Sequence, residues 1–482
     1  MSQLDQIEHF IVLMLENRSF DCLLGKLYPP SADFDGLTGT ESNTDTLHNV
    51  IAVWNSSDTD ETTMSIPTPD PGELFEDINM QLFGTANPAN PAPSASMSGF
   101  ASNYERQATG VEQYDPKSAM HYFSPEQVPV ISTLARQFGV SDRWFASAPC
   151  QTWPNRFFVH TGTANGYQNN SPTHFPYTME SIYNRFELAG NENWKIYFHD
   201  IAQSKTLSEL WLLADHFHFI DQLAKDAADG TLPNYAFIEP RYFSDWSMPN
   251  DMHPPHVVTL GEQLIASVYN TLRASSAWTK TMLIITFDEH GGCYDHVAPP
   301  EATPPSETRT VPFNFDRYGV RVPTVIVSPY VKPGSIIRSP TGTPYDHTSI
   351  VATLRKRFPE LGPPLTARVA GAPDVGNALT LTAPINLGPV HIDPLLYAPN
   401  PSEVAKAQEQ PLNNMQKSLV RLAANLPSNA VGADPAAIGA HVAQIQVKEN
   451  EPPVEATVSA RSGAAFVKQK LGEFFTRPPV TN

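Results

Sequence analysis

Two uninterrupted apolar runs constrain this chain most. His9-Phe-Ile-Val-Leu-Met-Leu15 is followed directly by Glu16-Asn17, and Met282-Leu-Ile-Ile-Thr-Phe287 is followed directly by Asp288-Glu289. A strand that is apolar on consecutive residues is covered on both faces, which is the position of a central strand in a parallel sheet rather than of a half-exposed antiparallel one. Each run then delivers polar groups at its C-terminal edge, where ligands bind in open α/β sheets.

The rest of the pattern agrees with that reading. Val322-Pro-Thr-Val-Ile-Val327 and Tyr235-Ala-Phe-Ile-Glu239 read as further strands. Helices are expected over 129–140, 181–188, 201–213, 219–229 and 260–275, with a short strand over 144–146 and a helix starting at 157. Alternating strands and helices imply an α/β fold with a predominantly parallel central sheet flanked by helices on both faces. Residues 28–118 are rich in Pro, Ser, Asn, Asp and Thr, and read as a long irregular insertion on a pocket rim with one short helix over 74–83. After 386 the pattern changes to Pro-rich connectors with helices near 415–425 and 464–475. The expected organisation is a catalytic domain over 1–386 and a Pro-rich and helical C-terminal extension over 387–482.

Composition excludes some functions. Thirty-one basic residues against 50 acidic ones give a net charge of -19, which is the wrong sign for wrapping nucleic acid or for a polybasic membrane patch. No stretch approaches the roughly 20 apolar residues of a transmembrane span. The N-terminus carries neither a basic n-region nor a long apolar run, so no leader is visible, as expected of a cytoplasmic chain or of a mature secreted form. Cys22, Cys150 and Cys293 are far apart in sequence and odd in number, which argues against a disulfide framework. Oligomeric state is not legible.

Glu16, Asn17, Asp288 and Glu289 are oxygen donors at two strand ends, suited to a hard or borderline divalent cation such as calcium, magnesium, manganese or zinc. The competing reading is that they cap helices. Between them in sequence lies Thr152-Trp-Pro-Asn-Arg156. Thr152 there reads as a nucleophile activated by that metal, with Asn155 and Arg156 as phosphate-binding groups. A structural threonine and a salt-bridged arginine are the alternatives. His253 and His296 lie in polar loops near strand ends and are candidates for proton transfer to the leaving oxygen. His256 is a candidate substrate contact, while His290 and His347 carry less weight.

Together, Glu16-Asn-Arg-Ser-Phe-Asp21, Asp142-Arg-Trp-Phe-Ala-Ser147, Thr152-Trp-Pro-Asn-Arg156, Asp288-Glu-His-Gly-Gly292 with Tyr294-Asp-His-Val297, and Gly319-Val-Arg-Val-Pro323 with Ser328-Pro-Tyr330 closely resemble the phosphoesterase family of non-specific phospholipases C and related acid phosphatases. The resemblance runs in order over about residues 7–358. It implies a fold similar to the alkaline phosphatase superfamily and one divalent metal ion held by Glu16, Asn17, Thr152, Asp288 and Glu289. It also implies attack by Thr152 on phosphorus, with a phosphothreonine intermediate that water hydrolyses. The substrate implied is a phosphate ester, either a phospholipid or a phosphomonoester as in an acid phosphatase without lipid preference.

Two departures from the family pattern bear on substrate choice. Glu73 stands where many relatives carry His, so an acid replaces a candidate substrate contact. The usual His-Pro-x-His-Asp-Val becomes His253-Pro-Pro-His-Val-Val258 and loses an Asp that could orient a histidine. Two rival functions are separable in principle. A sulfatase has Cys or Ser four residues before Arg, but oxidation of Thr152 would give a ketone rather than formylglycine, and Cys150 has the wrong offset. A non-catalytic metal- or anion-binding module would use the acids without needing the Thr-Trp-Pro-Asn-Arg turn.

Overall fold

The computed structural model describes residues 3–89, 94–107, 114–171, 175–245, 247–306, 313–448 and 459–476. An eight-stranded sheet forms its centre. In chain order the strands are β1 His9–Leu15, β2 Gly139–Ser141, β3 Trp194–Phe198, β4 Phe217–Phe219, β5 Tyr235–Glu239, β6 Thr281–Phe287, β7 Thr324–Val327 and β8 Ser335–Ile336. Across the sheet they run β8-β2-β7-β6-β1-β5-β3-β4. The pairs from β6 through β4 are parallel, as is β2 with β8, while β7 runs antiparallel to both β6 and β2. The expected mostly parallel α/β sheet is therefore present.

All seven residues of β6 and the six from Phe10 to Leu15 in β1 are buried, because helices cover both faces. Along one side α2 Pro129–Gln137 packs on α4 Val258–Ala274, and elsewhere α3 Thr152–Thr161 packs on α5 Thr348–Arg357. Leu15 of β1 pairs in register with Phe287 of β6. Glu16 and Asp288 consequently leave the sheet side by side.

Several boundaries differ from the sequence expectation. The helix expected to start at 157 starts at Thr152, because Pro154 is tolerated in a first turn whose N–H groups have no intrahelical partner. The expected 129–140 helix stops at Gln137, and Gly139–Ser141 joins the sheet as β2. The 201–213 segment is not one helix but two 3-10 turns, Gln203–Thr206 and Ser208–His216. Its start is fixed from outside, since Glu239 accepts from Gln203 N at 2.6 Å and Ser204 N at 3.1 Å. Phe219 belongs to β4, and the helix after it is Asp221–Asp229.

The 28–118 insertion is more ordered than its composition implies. It holds a hairpin of Ser42–Thr44 and Val50–Ala52, helices Glu61–Met64, Phe75–Phe83 and Phe100–Arg106, and a small core of its own around Ile51, Ile78, Leu82 and Phe100.

Beyond 386, the helices α6 Asn414–Asn425 and α7 Ala460–Phe474 fall close to expectation, and Pro401–Gln408 and Pro435–Lys448 are added. They share the main core through Leu419, Val420, Val467, Leu471 and Phe474. The contact with the sheet is chemically unusual. Lys205 is fully buried, and its amine has no hydrogen-bond partner among the described residues. Its Nζ lies 3.5 Å from the ring centre of Phe217, 4.4 Å from Phe198, 4.9 Å from Phe475 and 5.3 Å from Phe474. Burial pushes this lysine well below its ordinary pKa, against the pull of Glu239.

Phe474→Ala should lower stability by about 3–5 kcal/mol through lost burial and a cavity. Lys205→Met, which fills the same space without a stranded amine, should cost less than about 1.5 kcal/mol or stabilise. Denaturant midpoints of the two variants check this. A large loss from Lys205→Met would show that the amine itself holds the α7 contact.

Candidate active site

The C-terminal edges of β1, β5 and β6 meet the start of α3, and this junction concentrates buried charge. Glu16, Asn17, Thr152, Asp288, Glu289 and Arg156 are all buried at 2 % exposure or less. Asn17 adopts φ +58, a left-handed conformation that asparagine tolerates better than most residues. The turn it makes lets Asn17 N donate to Asp288 Oδ1 at 2.9 Å, while Glu16 N donates to Asp251 O at 2.8 Å. Gly291 follows closely on the opposite segment, where a Cβ would lie 2.2 Å from Asn17 O.

Arg156 organises the acids from below. Its Nη2 donates to Glu16 Oε1 at 2.5 Å, its Nε lies 3.5 Å from Asp288 Oδ2, and its Nη1 lies 3.9 Å from Glu239 Oε2. Gln203 Nε2 donates to the same Glu16 Oε1 at 2.6 Å. Glu16 Oε2 thus turns toward Thr152, whose Oγ1 is 3.3 Å away and also 3.4 Å from Asn17 Oδ1. One hydroxyl proton can serve only one of these acceptors.

Acceptors outnumber donors here. Asp288 Oδ2 and Glu289 Oε1 are buried without a hydrogen-bond partner among the described residues. Burial, reinforced by Asp288, raises the pKa of both Glu16 and Glu289 well above the ordinary range, although Arg156 opposes it at Glu16. Carboxylate oxygens without hydrogen-bond partners, together with the Asn17 amide oxygen and the Thr152 hydroxyl, fit a divalent cation by donor chemistry.

On the rim side, Asn17 Nδ2 donates to Glu73 Oε1 at 2.5 Å, and His253 Nε2 lies 3.4 Å from that same oxygen. His253 Nδ1 lies 2.6 Å from Pro254 O, so a proton on Nδ1 faces that carbonyl. Burial, then the neighbouring carboxylates His253 partly offsets, pushes Glu73 up to about 8. Burial works against the imidazolium of His253, but Asp70 and Glu73 outweigh it and push the histidine up to about 10. Among the described residues, Asp70, Glu73 and His253 stand close enough together to share an ion, as do Asp21, Asp295 and His296, whereas Glu16, Asp288 and Glu289 do not approach one another that closely.

The remaining candidates fall in different places. His256 Nδ1 pairs with Asp251 Oδ1 at 2.7 Å, and Asp251 also accepts from His253 N at 3.1 Å. An aspartate upstream thus orients the loop that lacks the downstream one. Asn155 spends its amide on the turn before α3, accepting from Ala148 N at 3.0 Å and donating to Cys150 O at 2.7 Å. His296 has acidic partners of its own. Its Nδ1 is 2.6 Å from Asp21 Oδ2 and its Nε2 is 3.2 Å from Asp35 Oδ1, inside a cluster closed by Arg321, which pairs with Asp21 and Asp295 at 2.9 Å each.

Sequence reasoning missed Gln203, Asp251, Asp70 and Glu239. Asp251 sat in the His253 loop and Glu239 at a strand end, the same signal that marked Glu16. Gln203 had no such signal. His347, given little weight from sequence, lies with Nε2 2.7 Å from Asp288 O and accepts from Trp144 Nε1 at 3.4 Å. That pairing assigns its proton to Nε2 and bolts the Asp288 backbone in place.

A model of the Phosphoesterase family matches residues 7–359. Non-specific phospholipase C1 of Arabidopsis thaliana is 38% identical over 73% of this chain and 67% of its own length. Non-specific phospholipase C6 of the same plant is 35% identical over 97% of this chain and 89% of its own. Among solved structures, a protein in the alkaline phosphatase superfamily from Vibrio parahaemolyticus aligns with a TM-score of 0.30 at 11% identity, over 49% of this chain and 63% of that one, a likeness too slight to argue from.

The protonation of the rim gives a signed prediction. Glu73 and His253 both bind a proton more tightly folded than unfolded, at about 8 against 4.5 and about 10 against 6.5. Stability should therefore fall as pH rises through this window, because the folded chain must give up protons that the unfolded chain has already lost. Melting temperature in chelator should decline from about pH 5 to pH 10, and Glu73→Gln should flatten the part below about pH 8. A melting temperature that rises over this range in chelator would overturn the assignment.

Proposed function

The chain belongs to the Phosphoesterase family, a family of hydrolases, and from that membership we propose that it cleaves phosphoric esters by transfer of the phosphoryl group to Thr152 and then to water. Relatives named non-specific phospholipase C favour a phospholipid diester as substrate. The observation that carries the reading is the Thr152 hydroxyl at the first turn of α3, 3.3 Å from Glu16 and 3.4 Å from Asn17, the residue whose N–H donates to Asp288.

Glu16, Asn17, Thr152, Asp288 and Glu289 would hold one divalent ion. When bound, it supplies Lewis acidity to a phosphoryl oxygen and lowers the pKa of the threonine hydroxyl. The protein does the rest. Thr152 Oγ1 passes its proton to Glu16 Oε2, its neighbour at 3.3 Å, and forms its bond to phosphorus as the bond to the leaving alcohol breaks, the alcohol oxygen taking a proton from the protonated His253, whose pKa is raised to about 10. Water then attacks the phosphothreonine and gives a proton back to His253, while the released Oγ1 recovers its proton from Glu16.

Arg156 balances the acids rather than meeting the phosphate in this scheme, since its donors are directed at Glu16, Asp288 and Glu239. The N–H groups at the start of α3 favour an anion there. Glu73 takes the substrate-facing position on the rim, and His256 orients the His253 loop through Asp251. His296 then acts at a distance, by fixing the segment around Asp295. We read 1–386 as the catalytic unit and 387–482 as an extension that braces it; the family match ends at 359. No described helix is long and apolar enough to cross a membrane.

Thr152→Ala should lower phosphoester turnover by at least about a thousandfold while the melting temperature stays within a few degrees, and Thr152→Ser should keep part of the activity. Chelation should abolish turnover, and returning calcium, magnesium, manganese or zinc singly should identify the ion. Side-by-side rates on phosphatidylcholine and on a chromogenic phosphomonoester assign the substrate class. Full activity in the alanine variant removes Thr152 from the nucleophile role.

A further inference from the structure

The three cysteines are free and buried, but they are not equivalent. Cys150 packs with Phe158 and Phe313 in a separate cluster. Cys22, in α1 Phe20–Leu24, and Cys293, in the loop after β6, lie on two segments laced together along their length. Asn17 N bonds Asp288 Oδ1 at 2.9 Å, Ser19 Oγ bonds Tyr294 O at 2.6 Å, Asp21 N bonds Asp295 Oδ2 at 3.2 Å, and His296 N bonds Asp21 Oδ2 at 2.8 Å. Within that lacing the Cys22 and Cys293 side chains are buried as neighbours in the same core cluster.

A cation completes the arrangement. Arg18 is fully buried, and no carboxylate lies within ion-pair distance of it among the described residues. Its Nε donates to Met252 O at 2.7 Å, and its Nη1 donates to Ile66 O at 2.6 Å and points at Cys22 Sγ at 4.0 Å. A buried guanidinium without a carboxylate counter-ion stabilises an anion at the nearest group that can become one, here the Cys22 thiolate.

We propose that Cys22 and Cys293 are a redox-reactive pair that closes to a disulfide, stapling the segment that carries Glu16 and Asn17 to the loop that carries Asp288 and Glu289. The oxidant is a small peroxide or a low-molecular-weight disulfide able to enter when the loop opens. With hydrogen peroxide, the Cys22 thiolate attacks one oxygen and expels hydroxide, giving the sulfenic acid. The Cys293 sulfur then attacks the Cys22 sulfur, the S–O bond breaks, and the departing hydroxyl takes the Cys293 proton and leaves as water. In all, two thiols and one peroxide give one disulfide and two waters.

The roles are asymmetric. Arg18 and the Cys293 hydrogen bond lower the Cys22 pKa against burial, whereas burial raises that of Cys293. Cys22 is accordingly the attacking sulfur and Cys293 the resolving one. The staple joins segments that are already hydrogen-bonded to each other, and it restricts the unfolded chain.

The full-length protein, folded and treated with hydrogen peroxide, is alkylated, digested and mapped by mass spectrometry without reductant. The expected product is a Cys22–Cys293 cross-linked peptide two hydrogens lighter than the sum of its parts. It should disappear on reduction, with Cys150 alkylated only after unfolding. The oxidised protein should melt roughly 5 °C higher than the reduced form. In Cys293→Ser the same treatment should leave a Cys22 sulfenic acid that dimedone traps; the mapping of the unaltered protein stands alone if that variant misfolds. Recovery of both thiols after native oxidation, or Cys22 driven to sulfinic acid with Cys293 still a thiol, overturns the proposal.

Discussion

Everything at the sheet edge depends on one buried guanidinium. Arg156 touches carboxylates from the ends of β1, β5 and β6 at once, and each of those acids would be too costly to bury alone. Because Arg156 lies one helical turn after Thr152, the charge that makes the acids tolerable also fixes where α3 begins. The hydroxyl therefore arrives beside Glu16 as a consequence of ion pairing. A single positive charge does not neutralise three strand-end acids and Glu289, and Asp288 Oδ2, 3.5 Å from Arg156 Nε, and Glu289 Oε1 are left without a hydrogen-bond partner among the described residues.

What could be read from sequence follows from how locally each feature is encoded. The β1 and β6 runs were legible because strands covered on both faces must be apolar at every position, and the polar residues after them announce the sheet edge. The start of α3 was not, because Pro154 reads as a break unless it is known to fall in the first turn. The insertion's small core escaped notice because its apolar residues, Ile51, Ile78, Leu82 and Phe100, are spread over distant short elements. Gln203 was invisible for a related reason: its role lies wholly in a contact with Glu16, far away in the chain. For His296 the sequence showed a histidine near a strand end and among acids, but not that those acids are Asp21 and Asp35, one at each ring nitrogen, because both lie far away in the chain.

Glu73 shows how a departure from a family pattern is absorbed. An acid placed beside Asn17 and His253 adds negative charge to a rim already short of cations, and the surroundings respond by holding protons: the carboxyl and the imidazole both shift upward. The same loop replaces its lost aspartate from upstream, with Asp251 gripping His256 through its side chain and Glu16 through its backbone.

The C-terminal helices belong to the same argument. Phe474 and Phe475 enclose Lys205, and Lys205 sits in the 3-10 turn that starts with Gln203, the residue that holds Glu16 Oε1. The first N–H groups of that turn end on Glu239, itself an acid near Arg156. A path of direct contacts therefore runs from α7 to the acids at the sheet edge, through a lysine whose amine has no hydrogen-bond partner among the described residues and is surrounded by aromatic rings. Such a lysine contributes little attraction of its own, so its position reports the fit of the aromatic rings around it. The C-terminal helices are thus linked by contacts to the turn whose Gln203 holds Glu16.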